Sequence, residues 1–418
     1  MKTLIKNGIF NGNKIDLLIV DNKIAKLQES IDEKVDKTID AKGLTILPAF
    51  VDMHTHLREP GFEYKEDIET GSKAAVAGGY ASVCCMPNTK PVIDNKYIVS
   101  YIINRAKEVN LAKVYPIGAI TVGLKGEMTS EMGKLKQAGI VAVSDDGCPV
   151  STAQMMRLAL EYAKDFDLPV LSHCEDKSLV DNGVVNEGAN SSKAGLNGIP
   201  SAAEEVMVSR EIILAGMLNT KVHICHVSTK GSVSLIRDAK KRGIKVTCET
   251  CPHYICGTDD LILSFNANSK VNPPLREEQD RQAIIEGLLD GTIDVIATDH
   301  APHSKQEKEI EYQLAANGIS GLESAFALCY TELVSKGRMS LEKLSYLMSV
   351  APAKIMNIPC GEIKEGGLAD ITLVDLNEKY KIDSKKFFSK GKNTPFDGWE
   401  VQGRVKYTFV EGELKYEA

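Results

Sequence analysis

Ile46-Leu47-Pro48-Ala49-Phe50-Val51-Asp52-Met53-His54-Thr55-His56 is an apolar run that ends abruptly in two histidines. A strand buried on both faces reads as a continuous hydrophobic run, and its side chains repeat with period two. His54 and His56 therefore project from one face at the end of a buried strand, where both can reach one metal ion. A His-x-His pair also arises by chance on surface strands, but its place at the end of an apolar run favours ligands.

This run, 46–53, is the first of eight; the others lie near 80–85, 113–118, 139–144, 168–172, 221–227, 244–248 and 293–298. Between them lie stretches of helical composition, such as 66–78, 152–164, 203–217, 231–241 and 278–289. Helical crossovers imply parallel pairing, and eight units predict an α/β protein with a (β/α)8 barrel of the TIM type. An open doubly wound sheet would usually show a Gly-rich phosphate loop after its first strand, and none is present.

Both chain ends have another texture. Short alternating runs are broken by Asn11-Gly12-Asn13 and Asp21-Asn22, which is hairpin chemistry. Ala369–Asp375 and Tyr407–Gly412 read as strands of the same kind. Neither end suffices for a sandwich alone, so a small composite β-sandwich domain built from both is expected. The expected boundaries are 1–48 and 351–418 for that domain and 49–350 for the barrel.

The chain has 418 residues, 43% of them hydrophobic and 26% charged, which supplies ample material for a large core. A net charge of −7 argues against a nucleic-acid or anionic-membrane surface. Met1–Lys6 reads as a strand and not as a secretory signal, and no apolar run approaches the ~20 residues that span a bilayer. A cytoplasmic protein is expected. Its ten cysteines form no framework and read as free thiols, Cys248-Glu249-Thr250-Cys251 included.

Functional residues of such a barrel belong at the carboxyl ends of its strands. The fifth run ends in His173, and the sixth contains His223 and His226. Three residues apart on a regular strand, these two face opposite sides; His226, nearer the carboxyl end, is the expected ligand and His223 the packing or outer-face residue. The eighth run ends in Asp299, a carboxylate that can hold a metal and also shuttle a proton. After the fourth run come Asp145-Asp146-Gly147, which read equally well as a metal-bridging carboxylate or as turn chemistry. Imidazole and carboxylate donors suit Zn²⁺, with other divalent first-row metals open, and room left for water is the catalytic pattern.

The stretch Pro48–Gly61 resembles the signature of the class I dihydroorotases of the amidohydrolase superfamily. Met86–Thr89, Asp145–Gly147, His173–Asp176, His226–Thr229, Asn272–Arg276, Ala297–His303 and Phe387–Phe396 are similar to that family too. The resemblance implies six metal ligands, His54, His56, Asp146, His173, His226 and Asp299, with Asp146 as the bridge. It implies one or two Zn²⁺ per subunit and makes Asp299 the catalytic acid–base. Substrate contacts are implied for His56, Arg58, Asn88, Asn272 and His303, and for the backbone near Asn317-Gly318. Family members carry Pro-Phe before that glycine where this chain has Ala316-Asn317, which alters the wall there.

The implied reaction interconverts N-carbamoyl-L-aspartate and L-dihydroorotate, a step of pyrimidine biosynthesis on small molecules. The implied assembly is a homodimer, with association with aspartate carbamoyltransferase left open. A hydantoinase or allantoinase is the nearest rival, but many such relatives use a carbamylated lysine as the bridge, and no lysine stands in Gly139–Asp146. A non-catalytic scaffold would be expected to lose ligands, and all six are present.

Overall fold

Pro48 splits the first apolar run in two. Proline brings no N–H to a ladder, and the chain leaves one sheet after Thr45–Pro48 to enter another at Phe50–Thr55. The structure, a computed structural model, describes residues 1–418.

Thr45–Pro48 pairs antiparallel with Ile371–Lys381, Ile371 opposite Pro48. That pairing joins strands from both chain ends in one eight-stranded sheet. Beyond Ile371–Lys381 lie Glu400–Val410 and Glu413–Glu417; beyond Thr45–Pro48 lie Lys2–Phe10, Asn13–Val20 and Lys23–Gln28. Lys37–Asp40 pairs with Lys2–Phe10 off this path. Asn11, Gly12 and Asp21 take positive φ of 49°, 79° and 53°, as tight hairpin turns require. Ile5, Leu17, Ile19, Ile46, Ile371, Leu373 and Phe409 form the apolar cluster of this sheet.

The rest of the chain is α/β with parallel pairing. β1 (Phe50–Thr55), β2 (Tyr80–Cys85) and β3 (Lys113–Pro116, resuming as Gly118–Ala119) are successive neighbours. From Gly118–Ala119 the order runs through β4 (Val143–Ser144), β5 (Val170–Ser172), β6 (Val222–Ile224), β7 (Val246–Thr250) and β8 (Val295–Ile296). At the break in β3, the Ile117 N–H donates to Cys85 O at 3.0 Å. At the other edge Thr55 bridges His300 in parallel, and the His56 N–H donates to His300 O at 2.8 Å.

Helices Ile68–Ala77, Ala153–Lys164, Ala202–Leu218, Lys230–Lys241 and Glu278–Asp290 occupy the stretches of helical composition. Lys230–Lys241 buries Val233, Ile236 and Ala239, spaced three apart along one stripe. Ile68–Ala77 starts at Asp67, whose carboxylate accepts the Thr70 N–H at 2.7 Å, a cap contributing about 1 kcal/mol.

Alternate residues of each strand enter different cores. Val143, Val170, Val222, Ile224, Val246 and Ile296 join the helix faces in a cluster of 63 residues. Val51, Met53, Cys84, Ala142, Leu171, Cys225, Val295 and Ala297 join a second cluster of 14, with Ala351, Ala353 and Met356 of helix Val350–Met356. β7 departs from this rule. Its Val246 and Cys248 face the helices, but the alternate positions hold Thr247 and Glu249. All ten cysteines are free, Cys248 and Cys251 both buried, and no helix is long and apolar enough to cross a membrane.

Candidate active site

Regular backbone ends where the histidines begin. The β1–β2 ladder shifts register between Asp52 and Thr55, so the strand that sends Val51 and Met53 into the smaller core sends His54 and His56 to one site. His226 and Asp299 both take positive φ, 34° and 47°.

These departures gather six side chains, with four imidazoles facing Asp146 and Asp299 facing two of them. Asp146 Oδ1 lies 3.3 Å from His173 Nδ1, 3.4 Å from His226 Nε2 and 3.5 Å from His54 Nε2. Its Oδ2 lies 3.4 Å from His56 Nε2. Asp299 Oδ1 faces His54 Nε2 at 3.5 Å and His56 Nε2 at 3.0 Å. Most of these separations exceed the ~2.7–2.9 Å of a charge-assisted hydrogen bond. They lie near the ~3.3 Å edges of a tetrahedron whose donors stand ~2.0–2.1 Å from a central ion, except that His173 Nδ1 and His226 Nε2 approach each other to 2.7 Å. His54 Nε2 is buried and has no hydrogen-bond partner, although two carboxylates face it. The residues therefore fit a divalent cation, in two overlapping donor groups that share His54: His54, Asp146 and His226, and His54, His56 and Asp299.

The charges agree. Burial pushes the His54 imidazole down, but Asp146, Glu249 and Asp299 outweigh it and hold the ring well above its usual range. Burial pushes the two aspartates up, and the histidines hold both far below the usual carboxylate range, His54 acting on each. A concentration of buried anionic oxygen among imidazoles is what a divalent ion would neutralise.

Arg58, at positive φ of 63°, leaves β1 beside this cluster. Its Nε donates to Pro302 O at 3.2 Å, and its Nη2 lies 3.3 Å from His303 Nε2. No carboxylate comes within 4.0 Å of it: Glu59 pairs with Arg105, and Glu63 accepts the Gly61 N–H. His303 donates from Nε2 to Asn317 O at 2.8 Å, and burial with Arg58 nearby pushes its ring down to about 3. Asn88 Oδ1 accepts from His56 Nδ1 at 2.9 Å, which orients that ring and leaves the Asn88 amide nitrogen free to donate. Asn272 donates to Glu175 Oε1 at 2.8 Å, and Glu175 Oε2 faces His173 Nε2 at 3.5 Å. The Gly318 N–H is committed to Lys270 O at 2.9 Å, so on that wall the exposed Asn317 is the residue open to a ligand.

A family model described as dihydro-orotase-like matches residues 43–232. A dihydroorotase of Acetivibrio thermocellus is 54% identical over 408 residues, 98% of this chain and 95% of its own length. The chain belongs to the dihydroorotase family. A dihydroorotase of Ruminiclostridium cellulolyticum is 52% identical over 99% of this chain and 98% of its own. The L-hydantoinase (dihydropyrimidinase) of Arthrobacter aurescens superposes with a TM-score of 0.89 at 26% identity, covering 99% of this chain and 96% of its own. Dihydropyrimidinase of Brevibacillus agri, at 22% identity and TM-score 0.85 over 100% and 96%, shares the fold. This dihydroorotase-family chain is thus a cyclic amidohydrolase.

One expectation from strand periodicity does not hold. His223 does not face outward. It is 2% exposed and shares the inner side of β6 with Cys225, Nδ1 at 2.8 Å from Thr247 Oγ1 and Nε2 at 3.3 Å from Glu249 Oε2. Alternation does put His223 and Cys225 on one face; what it misses is His226, which the left-handed backbone swings to the same side. Glu249 itself went unread. Fully buried, it accepts from His54 Nδ1 at 2.5 Å, and burial notwithstanding, His54 and His223 hold it at about 2. A carboxylate inside an apolar strand was the available signal, because a buried charge needs a partner. Glu175, two residues past His173, stands in a loop and carries no such signal; packing alone sets it against His173 and Asn272.

Proposed function

We propose that this chain interconverts N-carbamoyl-L-aspartate and L-dihydroorotate with one or two Zn²⁺ held by His54, His56, Asp146, His173, His226 and Asp299. The observation that carries this reading is a carboxylate, Asp146, with Oδ1 facing His54, His173 and His226 and Oδ2 facing His56, beside an arginine that no protein carboxylate neutralises. Family membership supplies the reaction. The strand order, with its bonds between the first strand and the last, supports a (β/α)8 barrel over 49–350. The shared terminal sheet supports a composite β-sandwich of 1–48 and 351–418, save that helix Val350–Met356 at the start of the second span packs against the parallel strands.

When bound, the ion would polarise the ring amide carbonyl and make water acidic enough to serve as nucleophile near neutral pH. The chain's own residues do the rest. Asp299 Oδ1 is turned to His54 and His56, while Oδ2 makes no hydrogen bond and is free to take up a proton and return it to the ring nitrogen. Arg58 and the Asn88 amide would hold the substrate carboxylate, a task suited to the planar guanidinium fork. Asn272, His303 and the Asn317-Gly318 wall would orient the ring. Glu249 fixes His54 by accepting from Nδ1, which leaves Nε2 for the ion. Glu249→Gln is therefore expected to weaken metal affinity by about 10- to 100-fold, read by chelator competition; wild-type affinity would remove Glu249 from this role.

Arg58 is the test of substrate identity. Dihydroorotate carries a carboxylate that an unsubstituted cyclic amide lacks, and a charge-assisted hydrogen bond contributes about 1.5–3 kcal/mol. Arg58→Met should lose at least ~10-fold in kcat/KM on dihydroorotate at about 1.4 kcal/mol per decade, with metal content unchanged. Arg58→Lys should recover only part of the loss. If the methionine variant matches wild type, or wild type prefers the uncharged ring, a hydantoinase-like role replaces this one.

A further inference from the structure

Phe387–Phe396 lies 84 or more residues beyond His303 in the chain, yet it is built into the wall that carries His303. Asn393 is 3% exposed, and its side-chain amide is fully engaged. Oδ1 accepts the His303 N–H at 2.9 Å and the Ser320 hydroxyl at 3.0 Å. Nδ2 donates to Ala301 O at 3.1 Å and to Gly318 O at 2.9 Å. Two donors and two acceptors are all that an asparagine side chain offers for such bonds in a plane. Its main-chain carbonyl also accepts the Ser320 N–H at 2.8 Å.

The approach is close on every side. A Cβ on Gly391 would stand 2.5 Å from Pro302 Cβ and 2.7 Å from Asn393 Oδ1, so only glycine lets the segment lie against Ala301–His303. Upstream, Ser389 Oγ and the Lys390 N–H both donate to the buried Glu66, whose Oε2 lies 3.3 Å from His300 Nε2. The segment is thus pinned beside His300 and again beside His303. Between the two segments of that wall, His303 Nε2 donates to Asn317 O.

We propose that Asn393 is a positioning residue for substrate specificity: by holding the His303 and Gly318 main chains together, it sets the wall that receives the substrate ring. This rests on His303 acting in substrate binding, as read above. Asn393 touches neither the six candidate ligands nor Arg58, so its loss should register in substrate affinity and not in metal content.

Steady-state kinetics on dihydroorotate for wild type, Asn393→Ala, His303→Ala and the double variant test this. Asn393→Ala should raise KM at least about 10-fold, the size of one lost buried bond pair, with kcat and metal content near wild type. On the His303→Ala background the same change should add less than about twofold, since residues acting as a unit are not additive. A full additional loss there, lost metal, or an unchanged KM overturns the proposal. Asn393→Asp keeps the acceptor for His303 and sets an oxygen against Ala301 O and Gly318 O. It should also raise KM if the alanine variant does not fold, and an unchanged KM counts equally against the idea. Hydrogen exchange separates this inference from the reaction assigned above. In Asn393→Ala or Asn393→Asp, faster exchange confined to peptides spanning 300–304 or 317–320 supports positioning, even if wild type fails to turn over dihydroorotate and the functional reading falls. Unchanged exchange at both places overturns it whatever the activity.

Discussion

Asp299→Asn is expected to leave a folded, soluble protein that has lost turnover by at least 10²-fold, and up to about 10⁴-fold, the usual range for a positioned acid–base. Two effects combine. The amide cannot carry the proton between the attacking water and the ring nitrogen, and it is a poorer donor to any ion shared with His54 and His56, which face Asp299 Oδ1 at 3.5 and 3.0 Å. Asparagine is a better test than alanine here, because residue 299 sits at φ 47°, where asparagine is tolerated and alanine is strained. Stopped assays with dihydroorotate, alongside thermal unfolding to establish that the fold persists, decide the matter. More than a tenth of wild-type turnover would take Asp299 out of the mechanism.

Asp146→Ala should lose metal and activity together, whereas Asp145→Ala should keep the metal. The two carboxylates adjoin in sequence and serve different partners. Asp146 faces four imidazoles. Asp145 turns to the neighbouring strand, where Oδ1 accepts the Ile120 and Thr121 N–H groups at 2.7 and 3.0 Å and Oδ2 accepts the Thr121 hydroxyl. Removing Asp145 strands the buried Thr121 N–H, while the Ile120 N–H keeps its 3.3 Å bond to Ser144 O, and should cost about 1–3 kcal/mol of stability. Removing Asp146 leaves His54, His56, His173 and His226 without their shared anion. Metal analysis of the purified variants and their unfolding midpoints measure both halves, and a metal-free Asp145→Ala with a metal-replete Asp146→Ala would reverse the assignment.

Much of this protein is written in local pattern. Buried parallel strands must be apolar along their length, so the eight runs were visible, as were the left-handed turns at Asn11-Gly12 and Asp21. A strand repeats every two residues, so His54 and His56 were expected on one face, but the side they reach depends on the register shift between Asp52 and Thr55. Pattern stops where the backbone becomes irregular or the partner is far along the chain. Period two could not foresee that φ 34° at His226 turns it to the side already held by His223 and Cys225. Nor could it say which of Asp145 and Asp146 meets the histidines, since that depends on where Thr121 lies. Glu249 is 195 residues from His54, and Asn393 is 90 from His303. No local rule joins such residues; strand order and packing do. Side-chain type and strand rhythm are properties of the chain itself, and they determined which residues could take part. Which of them share a proton, a carboxylate or an ion depends on distances of a few ångströms, and only the tertiary arrangement decides those.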